Sequence, residues 1–335
     1  MSGVAAFSEA VETFLLTSVI GDARAGVRMA LGMLDAGTPK EDVIVNLLGA
    51  AQREVGERWL HNEWTVADEH LVSGVTQKAL DAVANSIDPP TEGGLVVVAC
   101  AEGDWHSLPA QMFAEMLRWE GFAVAFLGAS TPVDHVAALM SRRRPDALAV
   151  SCNLPLFFSG VTRLVDAAHL EGVPVIAGGR ALGGSAARAS RLGADAWAKD
   201  VDDAATVLRS WQHEKPHVPA EPTRLDPAAL QLDARAGEIA AVAFESLCAA
   251  YPPMASYSDR QLARTREDLA FIAQFLAAAR LVDDDSVLTD MVDWLKGLLA
   301  VRGVPAAAVT TGLRVLAPIV GETDPAAGEL ARAAC

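Results

Sequence analysis

The side chains best suited to chemistry are unevenly spread along this chain. All seven histidines (His61, His70, His106, His135, His169, His213, His217) precede residue 218, whereas both tyrosines, Tyr251 and Tyr257, follow it. His106 stands out because Asp104-Trp105-His106 comes directly after the apolar run Leu95–Ala101. A histidine just past the carboxyl end of a parallel strand is where such a sheet meets its ligand. An aspartate two residues earlier can take the other ring proton, which fixes the tautomer and raises imidazole basicity toward a metal. Taken alone, the same residues also suit a structural loop histidine. His135 and His169 are expected on helix surfaces and His213 and His217 in a linker, with no metal-site spacing between them. In the histidine-free stretch, Arg260 and Arg264 are i,i+4 neighbours with Arg266 close by, a spacing that suits carboxylates. Tyr251, Tyr257, Phe271, Phe275 and Trp294 suit either a flat conjugated ligand or an ordinary core.

Several elements must position these groups. At about 150 residues per domain, 335 residues predict two or three domains. Residues 1–90 read as a four-helix bundle: apolar positions recur at three and four through Val11–Ile20 and Ala25–Leu34. Thr38-Pro39-Lys40-Glu41 predicts a capping box for a helix to about Leu60, and Thr65 with Asp68 caps the next, to about Ser86. A boundary falls at Asp88–Gly94. From residue 93 to 212, short apolar runs (Leu95–Ala101, Ala123–Leu127, Ala147–Cys152, Val173–Ala177, Asp195–Ala198) alternate with helices, predicting a flavodoxin-like parallel α/β domain. Residues 213–227, with four prolines, read as a linker. Residues 228–335 read as all-helical: about Pro227–Ala250, Ser258–Leu281, Ser286–Val301 and Pro305–Val320, with a frayed tail from Gly321.

Composition narrows the function classes. A net charge of -16 repels phosphate backbones, so direct nucleic-acid binding is not expected. No run of 18 apolar residues predicts a membrane span, and no secretory signal opens the chain. Four scattered cysteines predict a reducing, cytoplasmic setting, without a disulfide framework or zinc cluster.

The pattern acid-x-His-x-x after the first strand, a serine at the end of the third, and Gly178-Gly179 after the fourth resembles the cobalamin-binding domain. That resemblance implies His106 as lower axial ligand of cobalt, supported by Asp104. It also implies Ser151 in the nucleotide-tail pocket, and Gly178 and Gly179 where the tail approaches the backbone. Phe126–Pro132 and Gly193–Asp195 also look like the family's loops, whereas Pro109 replaces the motif's glycine. In the bundle, Trp59 followed after nine residues by Glu69-His70 resembles the upper-face cap of the cobalamin-dependent light-sensing transcriptional regulators. The resemblance implies that Trp59 walls the adenosyl group of adenosylcobalamin while Glu69 and His70 hydrogen-bond it. In those regulators a histidine directly after the tryptophan takes the upper position once light breaks the Co–C bond. Here that place is Leu60, leaving His61, if the helix ends before it, or His70.

A cobalamin light-sensing module followed by a histidine-free helical region resembles the photocobilins, over almost the full length. This implies a globin-like C-terminal domain holding biliverdin. The propionates would meet Arg260, Arg264 and Arg266, and Tyr251, Tyr257, Phe271 and Trp294 would line the pocket. Cys248 offers a thioether, although a noncovalent bilin is preferred. The expectation is a non-enzymatic cytoplasmic photoreceptor that signals through a homo-oligomer, a dimer favoured, or an unknown downstream protein. The alternatives are a corrinoid carrier protein for methyl transfer, or a cobalamin photoreceptor whose last domain is a pigment-free interaction module.

Overall fold

The computed structural model describes residues 3–88 and 93–335. Pro89–Glu92, part of the boundary read from the sequence, lie outside the described residues. The chain divides into two compact units, residues 1–92 with 111–122, and residues 93–110 with 123–335.

The first unit is helical. It comprises α1 (Gly3–Val19), α2 (Ala23–Asp35), α3 (Lys40–Asp42), a π-helical segment (Val43–Leu48), α4 (Gly49–Leu60) and α5 (Val66–Asn85). The later part of α6 (Ser107–Trp119) also belongs to it. The segments from Lys40 to Leu60 follow one another without a break. Their π-helical turn presents Val43, Ile44, Leu47 and Leu48 to the core, where Phe14, Leu15, Leu80 and Leu117 are also buried. Thr65 and Asp68 form the expected capping box on α5. The box expected at Thr38 does not form. The helix starts at Lys40, because Pro39 is itself extended at ψ 138° and becomes the N-cap, and a proline has no side-chain acceptor to cap with.

The second unit holds a five-stranded parallel sheet in the order β2-β1-β3-β4-β5. Its strands are β1 (Leu95–Cys100), β2 (Ala123–Phe126), β3 (Ala147–Ser151), β4 (Val175–Gly178) and β5 (Ala196–Trp197). β1 and β3 are buried almost throughout, as a parallel sheet covered on both faces requires. In chain order α6 follows β1, α7 (Val133–Arg143) follows β2, α8 (Phe158–Leu170) follows β3, α9 (Ala186–Arg191) follows β4 and α10 (Val201–His213) follows β5. This is the flavodoxin-like order. Its topological switch point lies between β1 and β3, whose following loops diverge and leave a crevice.

Residues 214–226 contain no helix or strand. The remainder is helical: α11 (Pro227–Ala234), α12 (Ala236–Ala250), α13 (Asp259–Val282), α14 (Ser286–Val301), α15 (Ala306–Thr323) and α16 (Pro325–Ala333). The single helix expected over Pro227–Ala250 is interrupted at Arg235, which departs from helical geometry. The tail expected to fray is instead folded as α16. Asp324, almost wholly buried, accepts from the Ala326 and Ala327 N–H groups and from Arg280 Nε at 3.0 Å. One continuous apolar core runs from the sheet (Val97, Leu148, Ala177) into these helices (Leu269, Leu276, Leu313).

Candidate functional site

The carboxyl ends of β1 and β3 carry a closely bonded polar cluster. Past Cys100 the chain extends the ladder once more, with Ala101 N–H donating to Ser151 O at 2.9 Å, and then turns sharply. Gly103 makes the turn with φ +92°, and a Cβ there would stand 2.9 Å from the Phe157 ring. Gly160 on α8 allows the same loop to approach, since a Cβ would meet Glu102 O at 2.7 Å. Ser130, itself at φ +42°, accepts from Gly103 N–H on Oγ and donates its own N–H to Asp104 O, both at 3.0 Å.

This grip leaves Asp104 fully buried and fully used. Its Oδ1 accepts from the His106 ring Nδ1 at 2.7 Å and the His106 N–H at 3.0 Å; its Oδ2 accepts from Asn153 N–H at 2.7 Å. Burial alone would raise the Asp104 pKa. The bonds from the His106 ring, the Asn153 N–H and the His106 N–H outweigh it and hold the carboxyl below its ordinary value. An ionised Asp104 accepting from Nδ1–H makes Nε2 the basic nitrogen of His106. The imidazole is 54% exposed, so this nitrogen is presented at the switch point.

Of the other expected residues, Ser151 ends β3 and its Oγ accepts from Asn153 Nδ2 at 3.4 Å. Gly178 and Gly179 follow β4, and the space they leave is claimed by the protein itself. A Cβ on Gly179, at φ +103°, would lie 2.4 Å from Cys152 O, and one on Gly178 would lie 3.0 Å from Ala198 O. Pro109 sits exposed in the first turn of α6, where a missing N–H costs no helix bond. Sequence reasoning missed Asn153, Gly103 and Gly160, and took in Ser130 only as part of the Phe126–Pro132 loop, without a role of its own. Only the glycines carry a sequence signal, and it says nothing of which backbone comes close.

In the first unit, α4 ends at Leu60 and His61 is its C-cap, so the condition set for His61 is met. Its Nδ1 lies 2.8 Å from Glu57 O, which again leaves Nε2 as the basic nitrogen when Nδ1 carries the proton. Trp59 lies in the last turn of α4 and is half-buried. Glu69 and His70 open α5. Glu69 Oε2 meets His70 Nδ1 at 2.6 Å and its Oε1 accepts from Ser73 Oγ at 2.7 Å, while His70 remains well exposed.

Several of the C-terminal candidates engage neighbours within the helical region. Arg266 stacks on the Phe244 ring at 3.8 Å, and Arg264 pairs with Glu267 one turn on. Tyr251 and Tyr257 bond to each other, and burial, the neighbouring Tyr251 and that bond raise the Tyr257 pKa. Arg260 is exposed, and Phe271 and Trp294 are about half exposed. Cys248 is exposed. One expectation is overturned: His169 is buried, with Nε2 2.9 Å from Asp195 Oδ2, because α8 turns that face toward the start of β5. His135 is exposed, as expected.

The donor set fits a metal whose remaining ligands come from a macrocycle. It offers one oriented imidazole, and among the described residues no group of three or more His, Cys, Asp or Glu side chains could hold a metal unaided. Comparison with known proteins agrees. Residues 94–208 match the B12 binding domain family, and residues 15–84 match a second family of the same description. The chain therefore carries a cobalamin-binding module. It is similar to the HTH-type transcriptional repressors CarA and CarH of Myxococcus xanthus, at 32% identity over 99 and 143 residues. These stretches are 30% and 42% of this chain, but only 33% and 47% of the repressors' own lengths. It is also similar to trimethylamine corrinoid protein 1 of Methanosarcina mazei, 24% identical over 56% of this chain and 90% of that one. The solved monomethylamine corrinoid protein of Methanosarcina barkeri shares the fold, with a TM-score of 0.53 at 22% identity, over 61% of this chain and 99% of that one.

Proposed function

We propose that the chain is a light sensor that binds adenosylcobalamin, with His106 as the lower axial ligand of cobalt. The observation that carries this reading is the Asp104–His106 pair at the switch point, 2.7 Å apart, with Asp104 buried and His106 half exposed. When bound, adenosylcobalamin supplies a cobalt–carbon bond that light can break. Asp104 holds the tautomer, and Asn153 and Ser130 hold the loop. Trp59 is assigned to shield the adenosyl group, Glu69 and His70 to hydrogen-bond it, and His61 or His70 to occupy the upper position after illumination. Ser151, Gly178 and Gly179 are assigned to the nucleotide tail. The C-terminal helices are assigned biliverdin, with Arg260, Arg264 and Arg266 toward its propionates and Tyr251 and Tyr257 against its rings. The output is a change in association, in a homo-oligomer or with a downstream protein, and not catalytic turnover.

The test is reconstitution in the dark with adenosylcobalamin and biliverdin, then spectra and sizing before and after green light. An adenosylcobalamin spectrum that green light leaves unchanged sinks the light-sensor reading. A missing red band sinks the bilin half alone.

A second reading, a corrinoid carrier for methyl transfer, is favoured by the similarity to a trimethylamine corrinoid protein over most of that protein's length. It needs no shield for an adenosyl group. Trp59→Ala would then leave dark retention of adenosylcobalamin against methylcobalamin unchanged, whereas the sensor reading expects that preference to fall.

A further inference from the structure

We propose that Arg188 couples the ligand state of His106 to the hairpin formed by α13 and α14. This rests on the reading that His106 holds a corrinoid. Arg188 lies on α9 with its side chain largely buried, and its guanidinium bonds in three directions. Nη1 donates to Ala181 O at 2.8 Å, Nε to Asp284 Oδ2 at 2.8 Å and Nη2 to Ser286 Oγ at 2.9 Å. The first acceptor belongs to the glycine-rich loop after β4. The other two lie in the turn between α13 and α14 and at the first residue of α14, and there Asp284 Oδ1 also accepts from Ser286 Oγ and N–H.

The glycine loop is in turn bonded to the crevice. Ala181 N–H donates to Cys152 O at 3.1 Å, and Gly179 lies so close to the Cys152 backbone that no side chain fits between them. The next residue, Asn153, donates its N–H to Asp104 Oδ2, and Asp104 holds the His106 ring. From the imidazole to the hairpin, every link is thus a hydrogen bond or a short run of covalent backbone. Arg191 to Asp283, at 2.7 Å, adds an exposed second strut. Linkage makes such coupling reciprocal: whatever cobalamin does to the hairpin, the hairpin does to cobalamin affinity. The planar fork of arginine reaches three acceptors at once, which a lysine ammonium on a flexible stem does not reproduce.

The test uses the full chain, titrated in the dark with adenosylcobalamin and followed by absorbance, with hydrogen exchange measured over residues 283–301. Binding is expected to slow exchange there about five-fold or more. Arg188→Ala and the milder Ser286→Ala should abolish that response and weaken binding by a similar factor, while the spectrum at saturation stays that of the wild type. A hairpin whose exchange ignores bound cobalamin overturns the proposal. So do variants that bind with wild-type affinity and keep the response, which leave Arg188 a merely structural strut. If Arg188→Ala does not fold by circular dichroism, Ser286→Ala and Asp284→Asn decide. Absence of any wild-type spectral change on titration defeats the cobalamin reading itself, a result distinct from binding without transmission.

Discussion

At the scale of the residue, the site depends on one carboxylate that has no other orientation open to it. Asp104→Asn keeps the shape but presents an amide to Nδ1, so the ring loses its fixed tautomer. Loss of such a partner typically weakens metal binding about 10–100-fold, which an absorbance titration with adenosylcobalamin would measure. His106→Ala should remove the histidine-ligated spectrum while leaving the circular dichroism unchanged, since the ring is half exposed. Gly179→Ala tests packing separately from ligand binding. A Cβ 2.4 Å from Cys152 O at φ +103° is expected to cost about 2 kcal/mol or more, read from urea denaturation of the cobalamin-free protein. The pairing of Asp104 with His106 was legible in the sequence because they stand two positions apart and both follow the first apolar run, although the pair alone suited a structural loop histidine as well. Asn153 was not, because it contributes through its backbone N–H, which every residue but proline has. His169 was misjudged because its partner Asp195 lies 26 residues away, a proximity only the folded sheet creates.

At the scale of the element, caps and struts decide where helices begin and what they hold. Thr65→Ala removes the hydroxyl half of the capping box on α5, the helix that carries Glu69 and His70, and leaves the backbone N–H of residue 65 bonded to Asp68. About 1 kcal/mol of stability should be lost, visible as a lower denaturation midpoint. The α13–α14 turn should respond to acid. Burial tends to raise the Asp284 pKa, but the Ser286 and Arg188 hydrogen bonds outweigh it and hold the carboxyl below its ordinary 3.8. A group lowered in this way stabilises the fold above its unfolded value, and that contribution is lost as pH falls through the lowered one. Protection over residues 283–290, taken relative to the intrinsic amide exchange rate at each pH, should therefore fall below about pH 4, and Asp284→Asn should flatten that dependence. The strands were largely legible, since buried parallel strands announce themselves as unbroken apolar runs. Two helix features were not. The break at Arg235 follows no glycine or proline in the sequence. By contrast, Asp324-Pro325 is an ordinary N-cap and first-turn proline, a start signal for α16 that the composition of the tail obscured.

At the scale of the whole molecule, the expected sheet is present in the expected strand order, and the shared core of sheet and C-terminal helices is what no local pattern foretold. Periodicity reports which face of a helix is buried but not against which element. If the sensor reading holds, sizing chromatography of the adenosylcobalamin-loaded chain should give one association state in the dark and another after green light. The π-helical segment Val43–Leu48 bears on that comparison. It winds one residue more into its turn than an α-helix would, upstream of Trp59 and His61. Closing all six residues as regular α would turn everything downstream by about 100° about the axis, whereas removing one residue as the turn closes would leave the downstream faces nearly where they are. The segment thus absorbs an extra residue upstream while the tryptophan and the histidine beyond it keep the facing that a shorter, wholly α-helical run would give them.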